Sequence, residues 1–197
     1  MKPWVSVGSG VVILGLLVWF GFHPREPVHE GKRLSQWLAE LDLRNPENAT
    51  ARTEAVKAVR AIGTNALPQL TRMLCARDSV WAKAMVHFNS TQALLRLPAT
   101  PSTVIQARGL QGFSALGSLA QPCVPRLVQI LEAEPSPQVR AYVALALGQV
   151  GRAARAAMPA LRRAVDDKNE EVRRSAVSAL INIQMWDDSG RSSPEPQ

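Results

Sequence analysis

The sequence predicts an all-α fold, namely a short right-handed α-solenoid of helical hairpins preceded by one N-terminal transmembrane helix. Two observations support this prediction. A phrase that starts at Val139 and closes at Gly148 recurs 33 residues later, starting at Val172, and a fixed period of this length is typical of stacked helical repeats. The other observation is an uncharged run of twenty residues, 3–22, near the N-terminus.

The repeated phrase defines a unit made of a helix, a glycine-marked turn and a second helix that starts with proline. Looser copies run from Ala51-Arg52 to Ile62-Gly63 and from Ala107-Arg108 to Leu116-Gly117, and Pro68, Pro125 and Pro159 each head a second apolar run. Glycine suits the positive φ of a helix C-terminus, and proline suits the first turn of a helix. No useful stretch alternates polar and apolar residues, so we expect no sheet.

The pattern V-R-x-x-A-x-x-A-L-G-x-[IV]-G, followed by A-x-P-A-L, resembles HEAT repeats, specifically the short HEAT-like repeats of bilin-lyase relatives. The resemblance covers about residues 51–183, with a gap, and 139–165 matches best. A second phrase, G-K-x-L-S-x-W-L at 31–38, is similar to bacterial membrane-anchored HEAT-repeat proteins of unassigned role. The resemblance implies that the second helices line a concave face at which such proteins bind partners.

Two further helices are expected outside the regular units. Ser35 is a candidate N-cap for a helix that carries Trp37 and covers the open apolar end of the stack. In the gap, 78–104, helical spacing relates Trp81, Met85, Phe88, Gln92 and Leu95, and Pro98 and Pro101 end that helix. We divide the chain into an anchor (1–23), an extended juxtamembrane linker (24–33), the solenoid (34–186) and a disordered tail (187–197).

The uncharged run at the N-terminus is long enough to span a bilayer, since about 20 helical residues cross roughly 30 Å of hydrocarbon. Trp4 lies at one end and Trp19, Phe20 and Phe22 at the other, where aromatic rings favour the two interfaces. A cleaved signal peptide is the alternative, but bulky residues stand where a cleavage site needs small ones. We expect a single-pass membrane protein whose bulk lies outside the cytoplasm, on the periplasmic side.

The sequence offers little for catalysis or metal binding. The three histidines, His23, His29 and His87, have no metal-ligand spacing with one another or with the cysteines. Cys75 and Cys123 are interpreted as small buried hydrophobic residues, with a disulfide as the alternative if the domain is extracytoplasmic. The acidic residues at 166–171 are interpreted as a solvated turn. We therefore expect no enzyme, no cofactor and no metal ion.

The arginines are distributed unevenly. Arg162 and Arg163 lie on the second helix of the third unit, and Arg155 belongs to the same acid-free stretch. Arg126 occupies the matching position after Pro125, and Arg72 is roughly equivalent in the first unit. A row of arginines on the inner face is suited to an acidic protein segment, phosphate or nucleic acid. The alternative is a charged face that keeps the solenoid soluble.

Arg140 and Arg173 occupy the repeat's own arginine position. We expect these two side chains to serve packing and hydrogen bonding between repeats. Any function then depends on the arginines that vary from one copy of the phrase to the next.

The leading hypothesis is a membrane-tethered, non-catalytic scaffold that binds a protein partner through the concave face and the membrane through residues 3–22. The alternative is nucleic-acid or phosphate binding by the basic face, for which the net charge of +7 argues and the predicted anchor argues against. The partner and the oligomeric state do not follow from the sequence.

Overall fold

The computed structural model describes residues 26–41, 49–78 and 100–191. The eight α-helices of these residues are α1 (Leu34–Glu40), α2 (Ala49–Ile62), α3 (Leu67–Leu74), α4 (Ser102–Leu116), α5 (Val124–Ala133), α6 (Pro137–Val150), α7 (Met158–Ala164) and α8 (Glu170–Arg191). Short 3-10 helices join the helices of each pair, at Gly63–Ala66, Gly117–Cys123 and Gly151–Ala157.

The helices form four units in chain order, and the predicted helical fold is confirmed for the described residues. Units 1, 2 and 3 are the pairs α2–α3, α4–α5 and α6–α7, and α8 is the first helix of unit 4. The first helices α2, α4, α6 and α8 pack against one another in sequence, and each second helix packs against the first helix of the following unit. The continuous core between them contains Leu70, Leu127, Val139, Leu147 and Leu161, all fully buried.

The turn within each unit depends on a glycine, as predicted, but not always on the predicted one. Gly63, Gly117 and Gly151 follow the first helices with φ of 60°, 54° and 66°, a region that other residues adopt at a cost. Gly148, which closes the repeated phrase, instead lies buried inside α6. A Cβ there would stand 2.9 Å from the Cα of Ala179, so Gly148 permits the close approach of α8.

The prolines start the second helices as predicted. Pro68, Pro125 and Pro159 each lie in the first turn of α3, α5 or α7. The backbone N–H that proline lacks would have no partner within the helix at this position. Gly and Pro therefore fix the beginning and end of the helices in every complete unit.

The expectation that the chain contains no sheet is wrong, since the linker forms a small β-hairpin. Strands β1 (Val28–His29) and β2 (Lys32–Arg33) pair antiparallel. Glu30 and Gly31, between them, have φ of 48° and 75°, the positive values that a two-residue hairpin turn requires. Strands of two residues are too short to show the alternation of polar and apolar residues by which a strand is predicted.

The hairpin and α1 together cover the first unit. Trp37 is only 4% exposed, its Nε1 donates a hydrogen bond to the carbonyl of His29 at 3.2 Å, and the Lys32 Nζ lies 4.2 Å from its ring centroid. Helix α1 packs against α2 and α4, which confirms that the Trp37 helix lies against the stack.

Ser35 is not the N-cap of α1, because the helix begins one residue earlier, at Leu34. The carboxylate of Glu26 caps the helix from outside instead. It accepts hydrogen bonds from the backbone N–H and the hydroxyl of Ser35. An acceptor nine residues away leaves no local sequence signal of the kind that identifies a cap.

Several predicted segments lie outside the described residues, namely the anchor with its aromatic ends, most of the gap helix and the end of the tail. Helix α8 continues to Arg191, past the predicted boundary at residue 186, so the first residues assigned to a disordered tail are helical. No helix in 26–41, 49–78 or 100–191 combines the length and apolar character needed to cross a membrane.

Candidate partner-binding surface

The second helices expose arginines at related positions. Leu70, Leu127 and Leu161 are fully buried at equivalent positions of α3, α5 and α7, which turns the position two residues later toward solvent. Arg72 and Arg163 occupy that position, and both are exposed. Arg162 is also exposed, but it stands one residue earlier and so about 100° around the helix from that position. We call the exposed arginines of the second helices, Arg72, Arg126, Arg162 and Arg163, the arginine face.

In unit 2 a glutamine occupies the shared position, and the arginine lies one turn earlier. Arg126 Nη1 donates a hydrogen bond to Gln129 Oε1 at 3.2 Å, which brings its guanidinium toward the row. Thr71 Oγ1 lies 3.2 Å from Cys123 Sγ, so α3 adjoins the start of α5 and the Arg72 and Arg126 segments are neighbours. The sequence placed Arg126 correctly on the second helix but not at the exact position of the other arginines.

The arginines of the face differ in their partners. Arg163 forms an ion pair with Glu132 of the preceding unit, which neutralises it. Arg162 makes no side-chain hydrogen bond or ion pair to any described residue. Among the residues that the structure describes, Arg72 donates only to the carbonyl of Pro68 in its own helix, at 3.4 Å. The cationic part of the face therefore consists of Arg72, Arg126 and Arg162.

Arg155, the remaining candidate, does not belong to a second helix. It lies exposed in the 3-10 connector of unit 3, which the sequence did not separate from the helix that follows. The structure therefore does not group it with the other four candidates.

A second cluster, at the junction of units 3 and 4, holds its arginines inside the fold. Arg140 makes two hydrogen bonds to Asp167, from Nε to Oδ2 at 3.0 Å and from Nη2 to Oδ1 at 2.9 Å. Its Nη1 also donates to the carbonyls of Glu134 and Pro135, at 2.9 and 3.1 Å. The side chains of Arg140 and Asp167 are only 16% and 15% exposed.

Arg173 repeats the backbone contacts of Arg140 one unit later. Its Nη1 donates to the carbonyls of Asp167 and Lys168, at 3.0 and 3.2 Å, and these carbonyls stand six and five residues before it, as they do for Arg140. The expectation that both arginines serve contacts between repeats is confirmed. The interpretation of Asp167 as part of a solvated turn is wrong, because the Arg140 guanidinium covers its carboxylate.

The equivalent position in unit 2 is held by a neutral residue. Counting back from the turn glycines Gly117 and Gly151, Gln106 matches Arg140, so the sequence assignment to Arg108 was two residues late. Gln106 is 1% exposed. Its Nε2 donates to the Ala76 carbonyl and its Oε1 accepts from Gln138 Nε2, both at 2.8 Å. We call Gln106, Arg140 and Arg173 the junction residues.

Electrostatics distinguishes the two junctions. The hydrogen bonds from Arg140 lower the pKa of the Asp167 carboxyl below its usual range, and the backbone N–H of Asn169 and the charge of Arg173 act in the same direction. The amide pair at Gln106 carries no charge and does not titrate. The Arg140–Asp167 contact is therefore expected to weaken in acid, whereas the Gln106–Gln138 contact is not.

The two cysteines are unpaired thiols in the structure. Cys123 is buried and Cys75 is half-buried, and burial raises the pKa of both thiols. A raised pKa disfavours the thiolate, which is the reactive form. Both residues therefore fit the interpretation as small hydrophobic side chains, and the disulfide alternative is absent from this structure.

The described residues contain no group of three or more His, Cys, Asp or Glu side chains that could hold a metal ion. What the arginine face can do chemically is bind anions, since a guanidinium offers several donors in a plane that matches a carboxylate or a phosphate.

The comparisons with known proteins agree with the architecture. The chain matches no curated protein and no solved structure. Residues 124–192 match the family model of HEAT repeats, a stretch that contains α5 to α8 and the Arg140–Asp167 junction. HEAT repeats are generally non-catalytic scaffolds for protein interactions. This part of the chain is therefore similar to HEAT repeats.

Proposed function

We propose that this protein is a membrane-tethered scaffold that binds a partner protein through the arginine face and catalyses no reaction. The observation that carries the proposal is the exposure of Arg72, Arg126 and Arg162 on successive second helices, without a carboxylate partner among the described residues. The general role of HEAT repeats in protein interactions supports it.

The chemistry of the face favours an acidic partner segment. Exposed guanidinium groups are fully hydrated, and surface ion pairs contribute only about 0–1 kcal/mol each. Three cations on adjoining helices act together on a segment that presents several carboxylates, and they also steer its approach. The mixed groove nearer Glu132, Glu134 and Asp167, about 410 Å³ in volume, is less suited to such a segment because it already contains carboxylates.

The membrane tether and the location are part of the proposal. They depend on the uncharged run 3–22 and its aromatic ends, and they predict that the HEAT repeats lie outside the cytoplasm beside the bilayer. A C-terminal fusion to alkaline phosphatase, which is active only outside the cytoplasm, tests this point. An active fusion in the membrane fraction supports the proposal, and activity of a fluorescent cytoplasmic reporter instead contradicts it.

The binding claim is tested with charge reversal in the full chain. Arg126→Glu/Arg162→Glu reverses two charges of the arginine face, and Arg52→Glu/Lys57→Glu makes the same change at two exposed positions of α2. We expect affinity purification from membranes to recover a specific partner protein with the natural chain and with the α2 variant. With the face variant, the amount of this protein recovered should fall at least about tenfold. Equal recovery with both variants would contradict the proposal.

The net charge of +7 favours nucleic acid or phosphate as the alternative ligand of the same face. Binding that depends on phosphates weakens steeply as salt rises. A fluorescence anisotropy titration of duplex DNA with the full chain in detergent distinguishes the two hypotheses. The scaffold proposal predicts no binding at low salt, whereas salt-dependent binding that Arg126→Glu/Arg162→Glu abolishes would favour the alternative.

A further inference from the structure

Helix α8 leaves one apolar face uncovered. Its buried side chains, among them Ala176, Ala179 and Ile183, pack toward α6. On another face, Val177, Ile181 and Met185 are 42%, 48% and 64% exposed. Their spacing of four residues places them in a single stripe along the helix.

A shallow groove borders the first half of this stripe. It measures about 470 Å³. Its apolar lining consists of Val165, Val177 and Ile181, and its polar lining consists of Arg173, Arg174, Ser178 and Asn182. Met185 projects from the other half of the stripe. The same surface therefore offers both a projecting apolar side chain and a depression able to receive one.

This face differs from the face of α6 that α8 covers. One period earlier, the positions of Val177 and Ile181 are held by Ala144 and Gly148, and Gly148 lets α8 approach until a Cβ would stand 2.9 Å from the Cα of Ala179. Isoleucine at the equivalent position excludes so close a contact, so a helix that covers this face of α8 packs at a greater distance.

We propose that a second copy of this chain covers the stripe, with the two α8 helices antiparallel about a two-fold axis at Ile181. In that arrangement a residue n positions before Ile181 faces the residue n positions after it in the second copy. Ile181 meets its own counterpart, and Met185 of the second copy enters the groove beside Val177. A two-fold interface requires a self-complementary surface, and the symmetric spacing of the stripe about Ile181 supplies it.

Charge complementarity favours the same arrangement. Arg173 lies eight residues before the axis, so it faces the last turn of α8 in the second copy. The final carbonyls of a helix have no partner within it and have a partial negative charge. Arg174, the next residue, already forms an ion pair with Glu170, whereas Arg173 uses only its Nη1, for two backbone carbonyls. The Nε and Nη2 of Arg173 have no hydrogen-bond partner among the described residues, although its charge also acts on Asp167. The antiparallel pair provides this guanidinium with an anionic surface.

Disulfide crosslinking of the full chain in membranes tests the geometry without depending on the proposed function. We expect Ile181→Cys, under mild oxidation with copper phenanthroline, to give a product of doubled mass. Val177→Cys alone and Met185→Cys alone are expected to give none, while the two variants expressed together give the doubled product. The natural chain controls for Cys75 and Cys123, and Leu119→Cys controls for an equally exposed apolar site, since Leu119 is 46% exposed.

A second measurement uses a charge in place of a crosslink. Sedimentation of the full chain in density-matched detergent is expected to give twice the chain mass, and Ile181→Asp is expected to return it to one chain with unchanged helical circular dichroism. Ile181 is half exposed in the single chain, so the variant keeps its fold. The proposal is overturned if Ile181→Cys crosslinks no more than Leu119→Cys, if Val177→Cys and Met185→Cys each pair with themselves, or if Ile181→Asp leaves the mass unchanged.

Discussion

Arginine is largely buried and hydrogen-bonded at a junction between repeats, whereas it is exposed on the arginine face. At the junction, Arg140 is 16% exposed and makes hydrogen bonds to a carboxylate and two carbonyls. On the face, Arg126 is exposed, and its one hydrogen bond within the described part of the chain goes to a glutamine of its own helix. The position in the repeat, and not the residue type, therefore separates the arginines that stabilise the fold from those available to a partner.

The junctions also differ from one another. Gln106 and Arg140 occupy the same position, but the first meets an amide and the second a carboxylate. The partner side chain follows in the next part of the chain in both cases, because Gln138 of unit 3 donates to Gln106 and Asp167, just before unit 4, accepts from Arg140. The comparison predicts that exchanging the side chains at this position without their partners is costly.

The largest effect is expected for Gln106→Arg. The site is 1% exposed, and the partners of its side chain are the Gln138 amide and the Ala76 carbonyl, so the variant buries a charge beside neutral partners. We expect a loss of about 3–5 kcal/mol in the free energy of unfolding, measured by urea denaturation. The control Gln106→Glu/Gln138→Arg supplies both charges and should recover part of the loss. A stable Gln106→Arg would show that the side chain at this position need not match its partners.

Arg140→Ala is expected to lower the free energy of unfolding by about 2–4 kcal/mol, because it removes four hydrogen bonds and leaves the Asp167 carboxylate without its cation. Arg140→Gln retains a donor for the carbonyls and should lose less. Arg126→Ala is the matched control on the arginine face and should stay within about 0.5 kcal/mol of the natural chain. Equal losses for Arg140→Ala and Arg126→Ala would remove the distinction between the two regions.

Acid should reduce the contribution of Arg140 to the free energy of unfolding. The pKa of Asp167 is lower in the folded chain than in the unfolded one, so its stabilisation is fully present above the unfolded pKa of about 4 and is lost as the pH falls through the folded pKa. The gap in unfolding free energy between the natural chain and Arg140→Ala should therefore shrink as the pH is lowered from 7 to 2.5. A gap that stays constant across this range would contradict the assigned pairing.

The smallest effect on stability is expected for the face. Arg72→Ala and Arg162→Ala should each change the free energy of unfolding by less than about 0.5 kcal/mol, since neither side chain bonds to another unit. Arg163→Ala should cost slightly more, because Arg163 pairs with Glu132 across units. Thermal unfolding followed by circular dichroism distinguishes these cases, and a large loss for Arg162→Ala would show that the face serves the fold.

Much of the fold could be predicted because each repeat carries glycine and proline at the ends of its helices. Gly63, Gly117 and Gly151 and the three prolines mark helix ends through φ and missing N–H groups, and such signals act within a few residues. The β-hairpin was missed because Glu30-Gly31 joins strands of only two residues. The cap of α1 was missed because its acceptor, Glu26, lies far along the chain.

The candidate surface could be predicted only in part, because local periodicity does not show contacts between units. Helical periodicity places Arg72, Arg126, Arg162 and Arg163 on second helices, but it does not show that Glu132 neutralises Arg163 or that Arg155 lies in a connector. The roles of Gln106 and Asp167 depend on contacts between units. A count back from the turn glycines, Gly117 and Gly151, would have identified Gln106.

The central claim is that the arginine face, rather than the outer face of the first helices, contacts a protein partner. A photocrosslinking amino acid placed at position 126 or at position 57 of the full chain, in membranes, tests it most directly. We predict one discrete protein adduct from position 126, lost when Arg72 and Arg162 are changed to Glu, and none from position 57. No adduct from position 126, or the same adducts from both positions, would contradict the account.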